Sequence, residues 1–574
     1  MGMVGYFPHC AQLFLWGEHC SCLTALEKLV VVPEKFLLYI AKQHGVSDTE
    51  LEVLSAALQG EAMSAIANRL GIRPEAARKR LGEVYKKFSI PGAGPGKLAK
   101  LQQILVNQHT LYQKGGDALG SLNEAIEEEE IPDSTEDWGE APDTSNFFGR
   151  TEVLKSLQDW VLSEDCRLIA LLGIGGIGKT TLAVKLARDL AETGEFEFVV
   201  WRSLRRAASP RETIHRLIRF IAREKRVAIP DRPDDRISML LDGLRQHRCL
   251  IVLDNWESAL QPGEMTGHYR EGMDEYRDLL RRLGEETHKS CVIVTSAEKP
   301  KEIAILDGQS MPVRVLEVPA LNAEEGAEIF RAKQLDEEQL WPELIDLYRG
   351  NPLTLKIVSN TILELFSGKV SEFLKESTLV FGDIKELLRQ QFDRLSDLEK
   401  SILYWLSIEH EPISLGQLRD DLVLPSTHSE LLEALESLGR RSLIERAPGE
   451  GSALFTLQPV VLEYVALDLA ERATGELQDL IKTQRVERLE VFRNHALLVG
   501  EDESEEDADG IPRPLKEVLN RLRRSIRNDR QMVEFLEISL EVLKDRFPLE
   551  VGYAANNVEH LLGTLRDEMN GYAA

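Results

Sequence analysis

The sequence lacks any uninterrupted apolar run long enough to cross a membrane, and its opening residues lack the early positive charge of a secretory signal. Tyr6 breaks the myristoylation pattern that Gly2 would otherwise begin. A membrane-spanning helix and a lipid anchor are therefore not expected, and residues 1–32 read as a disordered leader. Cysteine is scarce, six in 574 residues. Cys166, Cys249 and Cys291 stand at the starts of predicted buried strands, where a reduced thiol serves as a small hydrophobe; this suits a cytoplasmic protein. His9-Cys10 and His19-Cys20-x-Cys22 match no zinc ligand spacing. No self-similarity recurs at a period of roughly 20–50 residues, which leaves out a repeat solenoid or propeller within these residues. Basic residues are also short, 69 against 96 acidic, for a net charge of −27. Such a surface cannot be coated in nucleic acid along its whole extent, because phosphate binding needs basic patches.

One segment has the opposite sign. Between Glu61 and Lys100 stand Arg69, Arg73, Arg78, Lys79, Arg80, Lys86, Lys87, Lys97 and Lys100, against Glu61, Glu75 and Glu83. Within it the pattern is helix, turn, helix. Ser47-Asp48-Thr49-Glu50 is a capping box ahead of Leu51, Val53, Leu54 and Leu58, and Gly60 closes that helix. Ala62, Ile66, Ala67 and Leu70 form one apolar face, Gly71 makes the turn, and Pro74 opens a third helix bearing Ala77, Leu81, Val84 and Phe88. Residues 33–112 are thus a helix-turn-helix module, whose core resembles LuxR-type regulators. That resemblance implies that the third helix enters the DNA major groove and that Arg73, Arg78, Lys79 and Arg80 contact nucleic acid. A basic, solvated helix of a protein-binding adaptor accounts for the same residues. Ala76 and Ala77 stand where the family usually carries Thr-Val. Residues 113–145, with Glu127 to Glu130 and further acids to Asp143, read as an acidic linker.

The most specific motif is Gly173-Ile174-Gly175-Gly176-Ile177-Gly178-Lys179-Thr180-Thr181, entered from Leu168-Ile169-Ala170-Leu171-Leu172. A buried strand, a glycine-rich turn of backbone amides and a following helix N-terminus make a phosphate-binding loop. The expected ligand is ATP or GTP. Lys179 reaches the β- and γ-phosphates and Thr180 ligates Mg²⁺. Further strands are predicted at 198–201, 249–253 and 291–295, separated by helical segments, giving a parallel sheet covered on both faces. The second of them ends in Asp254, placed to hold the Mg²⁺ shell.

Phe147-Phe148-Gly149-Arg150 before this loop and Gly350-Asn351-Pro352-Leu353 after it complete a set that closely resembles the NB-ARC branch of the STAND signalling ATPases, over roughly residues 146–470. The resemblance implies ATP or ADP with Mg²⁺ as cofactors. It places Phe148, Gly149 and Arg150 along adenine, Pro352 with Leu353 on the base, the loop residues Gly173, Gly175, Gly176, Ile177, Gly178 and Lys179 around the phosphates, and Thr181 at the α-phosphate. The implied fold class is multidomain α/β plus α, with a P-loop NTPase sheet at 146–319, a small helical subdomain at 320–380, a winged helix at 381–470 and a C-terminal helical region at 471–574. The winged helix is expected to hold the ADP state closed rather than to bind DNA, since it carries few basic residues.

Three positions depart from the family pattern. Ala297 holds the place of the arginine that senses the γ-phosphate, Leu457-Gln458-Pro459 replaces Met-His-Asp, and Asn255 replaces the second acid beside Asp254. Glu257 is left to position water. Without one transition-state cation, turnover falls by orders of magnitude, so slow hydrolysis is expected to act as a timer. Relatives with a similar N-terminal module and ATPase continue past a segment like Val551 to Tyr572 into WD or pentapeptide repeats; this chain is expected to be a shortened version or to have its sensor on a separate polypeptide. The expected function is a nucleotide-operated switch that forms an ATP-dependent homo-oligomer and acts on DNA through residues 47–88. The alternatives are a signalling adaptor and a motor-type ATPase.

Overall fold

The computed structural model describes residues 134–571 apart from 206, 224–226, 310, 377, 424–426, 448–452, 499–513 and 545, and before them residues 37, 48–58, 66–67, 69–70, 72–88, 97–98, 100–101 and 105. The expected leader, the first part of the acidic linker, Ser47, Gly60, Gly71 and the acidic loop Glu501 to Asp509 lie outside the described residues. The chain divides into two compact units, residues 1–129 and 130–574.

In the first unit, α1 spans Asp48–Leu58 and α2 spans Pro74–Lys87, with Pro74 in the first turn of α2, where its missing amide costs nothing. Val53, Leu54, Ala57, Ile66, Leu81, Val84, Phe88 and Leu101 form its core. Arg73, Arg78 and Lys79 are exposed and Arg80 is half-buried. Lys86 and Lys87 are paired to Glu83 and Glu50 at 2.8 and 2.6 Å.

The second unit begins with β1 (Glu136–Asp137) and continues through α3 (Thr151–Leu162), β2 (Leu168–Leu172), α4 (Lys179–Glu192), β3 (Phe198–Ser203), α5 (Pro210–Ala222), α6 (Pro233–Gln246), β4 (Cys249–Asp254), α7 (Asp274–Glu285), β5 (Cys291–Ser296), α8 (Lys301–Leu306) and β6 (Val313–Glu317). These strands form one sheet in the order β1-β3-β4-β5-β2-β6, every pairing parallel. Leu250 and Val252 face the core against α3 and α4, whereas Cys249, Ile251 and Leu253 face the one against α5, α6 and α7. Burial on both sides is why β4 reads as an unbroken apolar run.

Two strands of this sheet were not expected. β6 lies beside β2 at the sheet edge and is apolar at Val313 and Val315 but carries Arg314 and Glu317. β1 corrects the acidic linker at 113–145. Glu136 and Asp137 pair with Val199 and Val200, Asp137 binds Arg202, and Trp138, Ala141 and Phe147 pack on the outer core. Glu136 and Asp137 are thus edge-strand residues, and the described end of the stretch, from residue 134, packs on the sheet rather than forming a free spacer.

Four helices follow: α9 (Ala323–Lys333), α10 (Trp341–Leu347), α11 (Pro352–Phe366) and α12 (Val370–Leu374). A capping box of Asn322 and Glu325 starts α9, and Asn351 caps α11 ahead of Pro352. Then come α13 (Gly382–Phe392), α14 (Asp397–Glu409), β7 (Ile413–Ser414), α15 (Leu415–Asp421), α16 (His428–Arg440), β8 (Glu445–Ala447), β9 (Leu454–Thr456) and α17 (Pro459–Thr483). The strands form an antiparallel sheet in the order β7-β9-β8. The last elements are α18 (Val491–Asn494), α19 (Pro514–Ser525), α20 (Asp529–Lys544), α21 (Pro548–Val551) and α22 (Ala554–Gly571).

The domain limit expected at residue 470 falls inside α17, a single helix of 25 residues. Val461, Val465 and Leu469 near its start and Leu477 and Leu480 near its end belong to one buried cluster shared with α14, α19 and α20. That cluster runs across residue 470 without a break. Among the described residues no helix is long and apolar enough to cross a membrane.

Candidate functional site

The phosphate loop leaves the C-terminal end of β2, whose five residues are all buried, and passes directly into α4. Gly173, Gly176 and Gly178 adopt φ of 143°, 82° and 94°, conformations that side chains rarely adopt. Crowding adds to this at Gly178, where a Cβ would come within 2.9 Å of Arg150 Nη1. The Lys179 ammonium donates to Gly173 O and Ile174 O at 2.7 and 3.0 Å. Burial holds its pKa below that of ordinary lysine, opposed by the nearby Glu257 and Asp254 carboxylates. An incoming polyphosphate would supply the charge partner that burial makes favourable.

In the sheet, β5 lies between β2 and β4, so the loop and Asp254 face each other across one strand. The strand between them supplies Thr295. Its hydroxyl donates to Asp254 Oδ1 at 2.6 Å, the Thr180 hydroxyl donates to the same oxygen at 2.7 Å, and the Asn255 amide donates to Thr295 Oγ1 at 3.0 Å. Asp254 is 2% exposed, and burial pushes its carboxyl up against the two hydroxyl bonds that lower it. A hydroxyl and a carboxylate side by side are hard oxygen donors of the kind Mg²⁺ takes when phosphate and water complete its shell. The donor set fits that ion. Glu257 Oε2 accepts from the Ala297 amide at 3.2 Å, which holds it at the same strand ends as Lys179 and Asp254.

On the opposite side of the loop, Arg150 has φ 59° and is 4% exposed. Its guanidinium donates to Ile177 O and Pro319 O at 2.6 and 2.8 Å, and its amide donates to Glu325 Oε1. Burial lowers its pKa to about 10, with Glu325 opposing. Arg150 thus fastens the segment before α3 to the loop and to the exit of β6. Pro352 Cγ approaches the same glycine, 4.0 Å from the Cβ position of Gly178. Phe148 is half-buried, with Lys356 Nζ 5.9 Å from its ring centre. Thr181 is half-buried in the first turn of α4. Gly149, at φ 65°, has Glu325 Cγ 2.6 Å from its Cβ position. Within the second unit, Arg150, Pro352 and Leu353 thus lie against the phosphate loop, with Thr180 and Asp254 bonded at its helix end.

Sequence reasoning missed three neighbours of that loop. Asn351 Nδ2 donates to Gly175 O at 3.0 Å while its Oδ1 caps α11, and the Leu353 amide donates to Gly176 O at 3.3 Å. Gln391 Oε1, on α13, accepts from the Gly175 amide at 3.3 Å. Thr295 is the third. The motif around Pro352 included Asn351, and the strand that ends near Ala297 included Thr295; nothing local marked Gln391. Gln458 lines a cavity of about 430 Å³ together with Gly173, Ile174, Val318, Asn322 and Asp346.

A buried charge cluster joins the nucleotide edge to the elements beyond α13. Glu298, next to Ala297, accepts from Arg394 Nε at 2.5 Å and from Arg441 Nη1 at 2.9 Å. Arg441 also lies 3.2 Å from Glu399, which accepts from the Ser437 hydroxyl at 2.7 Å. Side-chain exposures of Arg441, Glu298 and Glu399 are 4%, 2% and 0%. Main-chain bonds run alongside, from Lys299 N to Arg440 O at 3.1 Å and from Gly263 N to Arg394 O at 2.9 Å.

Residues 167–337 match the model of the NACHT domain. The uncharacterized WD repeat-containing protein alr2800 of Nostoc sp. is 40% identical over 476 residues, 76% of this chain and 37% of that protein. The disease resistance protein RPV1 of Vitis rotundifolia is 26% identical over 42% of this chain and 16% of its own length. The regulatory protein AfsR of Streptomyces griseus is 27% identical over 29% of this chain and 16% of its own. The chain thus spans well under half the length of these relatives. Among solved structures, the Walker-type ATPase paby2304 of Pyrococcus abyssi aligns at a TM-score of 0.39 and 18% identity, over 57% of this chain and 99% of that one. The stretch from residue 167 to residue 337, with its phosphate loop and parallel sheet, has the architecture of a P-loop nucleotide-binding domain and is similar to the NACHT domain.

Proposed function

We propose that the chain is an ATP- and ADP-binding molecular switch in which nucleotide exchange controls oligomerisation and the output of the N-terminal helix-turn-helix module. The observation that carries this reading is the Glu298–Arg394–Arg441–Glu399 cluster, which ties residues 381–470, read as a winged helix, to the strand ends that surround Lys179 and Asp254. A ligand moves such a contact only through different affinity for the bound and released forms. Lys179 meets the outer phosphates, Thr180 and Asp254 hold Mg²⁺, and Glu257 positions water. Phe148, Gly149, Arg150, Pro352 and Leu353 form the base side, and Thr181 meets the α-phosphate. Ala297 and Gln458 leave the site without the usual sensor cations, which supports slow turnover. The likeness to disease resistance and regulatory proteins supports a signalling role in the cytoplasm.

Light scattering of the full chain tests this reading. A higher mass is expected with ATP than with ADP, and no such rise in Lys179→Ala; a mass indifferent to both nucleotides counts against the switch. For the output, the exposed Arg73, Arg78 and Lys79 and the half-buried Arg80 support DNA as the partner. Retention on DNA should fall steeply with salt. Reversing charge at Arg78 and Arg80 should reduce the slope of log affinity against log salt by about 0.9 for each lost phosphate contact. Unchanged retention in that variant would assign the module to protein binding instead.

A further inference from the structure

The bond between Gly175 and α13 is of a different kind from the other contacts that the phosphate loop makes with the helices after the sheet. Asn351 and the Leu353 amide both come from the start of α11 and both donate to loop carbonyls, for which no phosphate competes. Gln391 is an acceptor. Its Oε1 takes the Gly175 amide at 3.3 Å, while its Nε2 donates to Leu387 O at 3.3 Å, one turn back on α13. The carboxamide is thus oriented by its own helix with the oxygen toward the loop. It also lies directly on the glycine: a Cβ at Gly175 would meet Gln391 Nε2 at 2.9 Å and Leu387 Cδ1 at 3.1 Å.

The loop lysine reaches the outer phosphates of a bound nucleotide, and the Lys179 ammonium lies on Gly173 O and Ile174 O, next to Gly175. Gly175 is three residues ahead of Gly178, which caps α4. An amide oxygen satisfies its N–H as a phosphate oxygen does, but as a neutral acceptor it makes the weaker bond.

We propose that Gln391 is a specificity-determining residue of the nucleotide site: its carboxamide occupies the place on Gly175 that the terminal phosphate of a triphosphate requires. The arrangement accommodates a nucleoside diphosphate and resists a triphosphate until α13 withdraws. The proposal rests on the switch reading above and names the bond that separates the two nucleotides. Arg394 follows Gln391 by three residues, so a withdrawal of α13 pulls directly on the Arg394–Glu298 contact.

Calorimetry on the full chain with ADP and with a non-hydrolysable ATP analogue tests it. Gln391→Ala should tighten the triphosphate analogue about three- to tenfold relative to ADP, the range expected for one neutral hydrogen bond. Gln391→Glu should weaken the analogue by at least as much, since a carboxylate would face the terminal phosphate. Gln390→Ala, an exposed neighbour bonded to Glu386 on the same helix, should leave the ratio unchanged. In the unaltered chain, amides of residues 382–392 should exchange hydrogen faster with the analogue than with ADP. An unchanged ratio in both Gln391 variants, or equal exchange with the two ligands, overturns the proposal while nucleotide binding stands. Failure of the unaltered chain to bind either nucleotide overturns both.

Discussion

Replacing Arg441 with alanine is expected to destabilise the chain by about 3–5 kcal/mol, the cost of leaving buried carboxylates without their cation. Arg441 is 4% exposed and faces Glu298 and Glu399 at 2.9 and 3.2 Å, and its Nη2 donates to Glu264 O at 2.8 Å. Glu298 would retain Arg394, but Glu399, with no exposed side-chain surface, would keep only neutral donors. Arg440, one residue earlier, provides the control. It pairs with Glu436, whose side chain is 63% exposed, and Arg440→Ala should cost under about 1 kcal/mol. Thermal unfolding of the two variants side by side reads the difference. Because the cluster bridges the nucleotide edge and α14 to α16, Arg441→Ala should also speed the release of bound nucleotide. Equal unfolding temperatures for Arg441→Ala and the unaltered chain would show that the cluster holds nothing.

The second large effect is expected at Lys179. Removing one member of a desolvated charge pair costs about 2–5 kcal/mol, so Lys179→Ala should weaken ADP and ATP by roughly thirtyfold to several thousandfold. Its ligand-free stability should change far less. In the absence of phosphate the ammonium bonds only to the loop's own Gly173 and Ile174 carbonyls, and burial already disfavours its charge. Two neutral acceptors released toward water cost about 1 kcal/mol or so. Calorimetry paired with a ligand-free melt therefore separates lost affinity from lost structure. A variant that melts normally yet binds either nucleotide as tightly as the unaltered chain would remove Lys179 from the site.

The strands that carry the chemistry were legible in the sequence because they are buried on both faces. Leu168 to Leu172, Cys249 to Leu253 and Cys291 to Thr295 are continuous apolar runs, and the loop after the first has a spacing that few other structures require. The edge strands were not legible for the converse reason. β1 has two residues, both acidic, and β6 interrupts its apolar positions with Arg314. Neither has the length or period from which a strand is read. Contacts across long sequence separations left no mark either. Gln391 lies 216 residues from Gly175, and Glu298 lies 143 from Arg441. Each of these side chains looks from its neighbours like an ordinary polar residue of an amphipathic helix or loop. The motif at Gly350 to Leu353 falls between the two cases. It was recognised as a unit, yet its requirement for glycine appears only in three dimensions, where a Cβ on Gly350 would stand 2.0 Å from Leu321 O.

The 25 residues of α17 form a continuous rod about 37 Å long at 1.5 Å per residue. One end follows β9, beside the elements that bear Arg441; the other is embedded among α19 and α20. Torque applied to the far helices has no intervening hinge in which to dissipate. A displacement of those helices would therefore be carried along α17 as a rigid body toward β9.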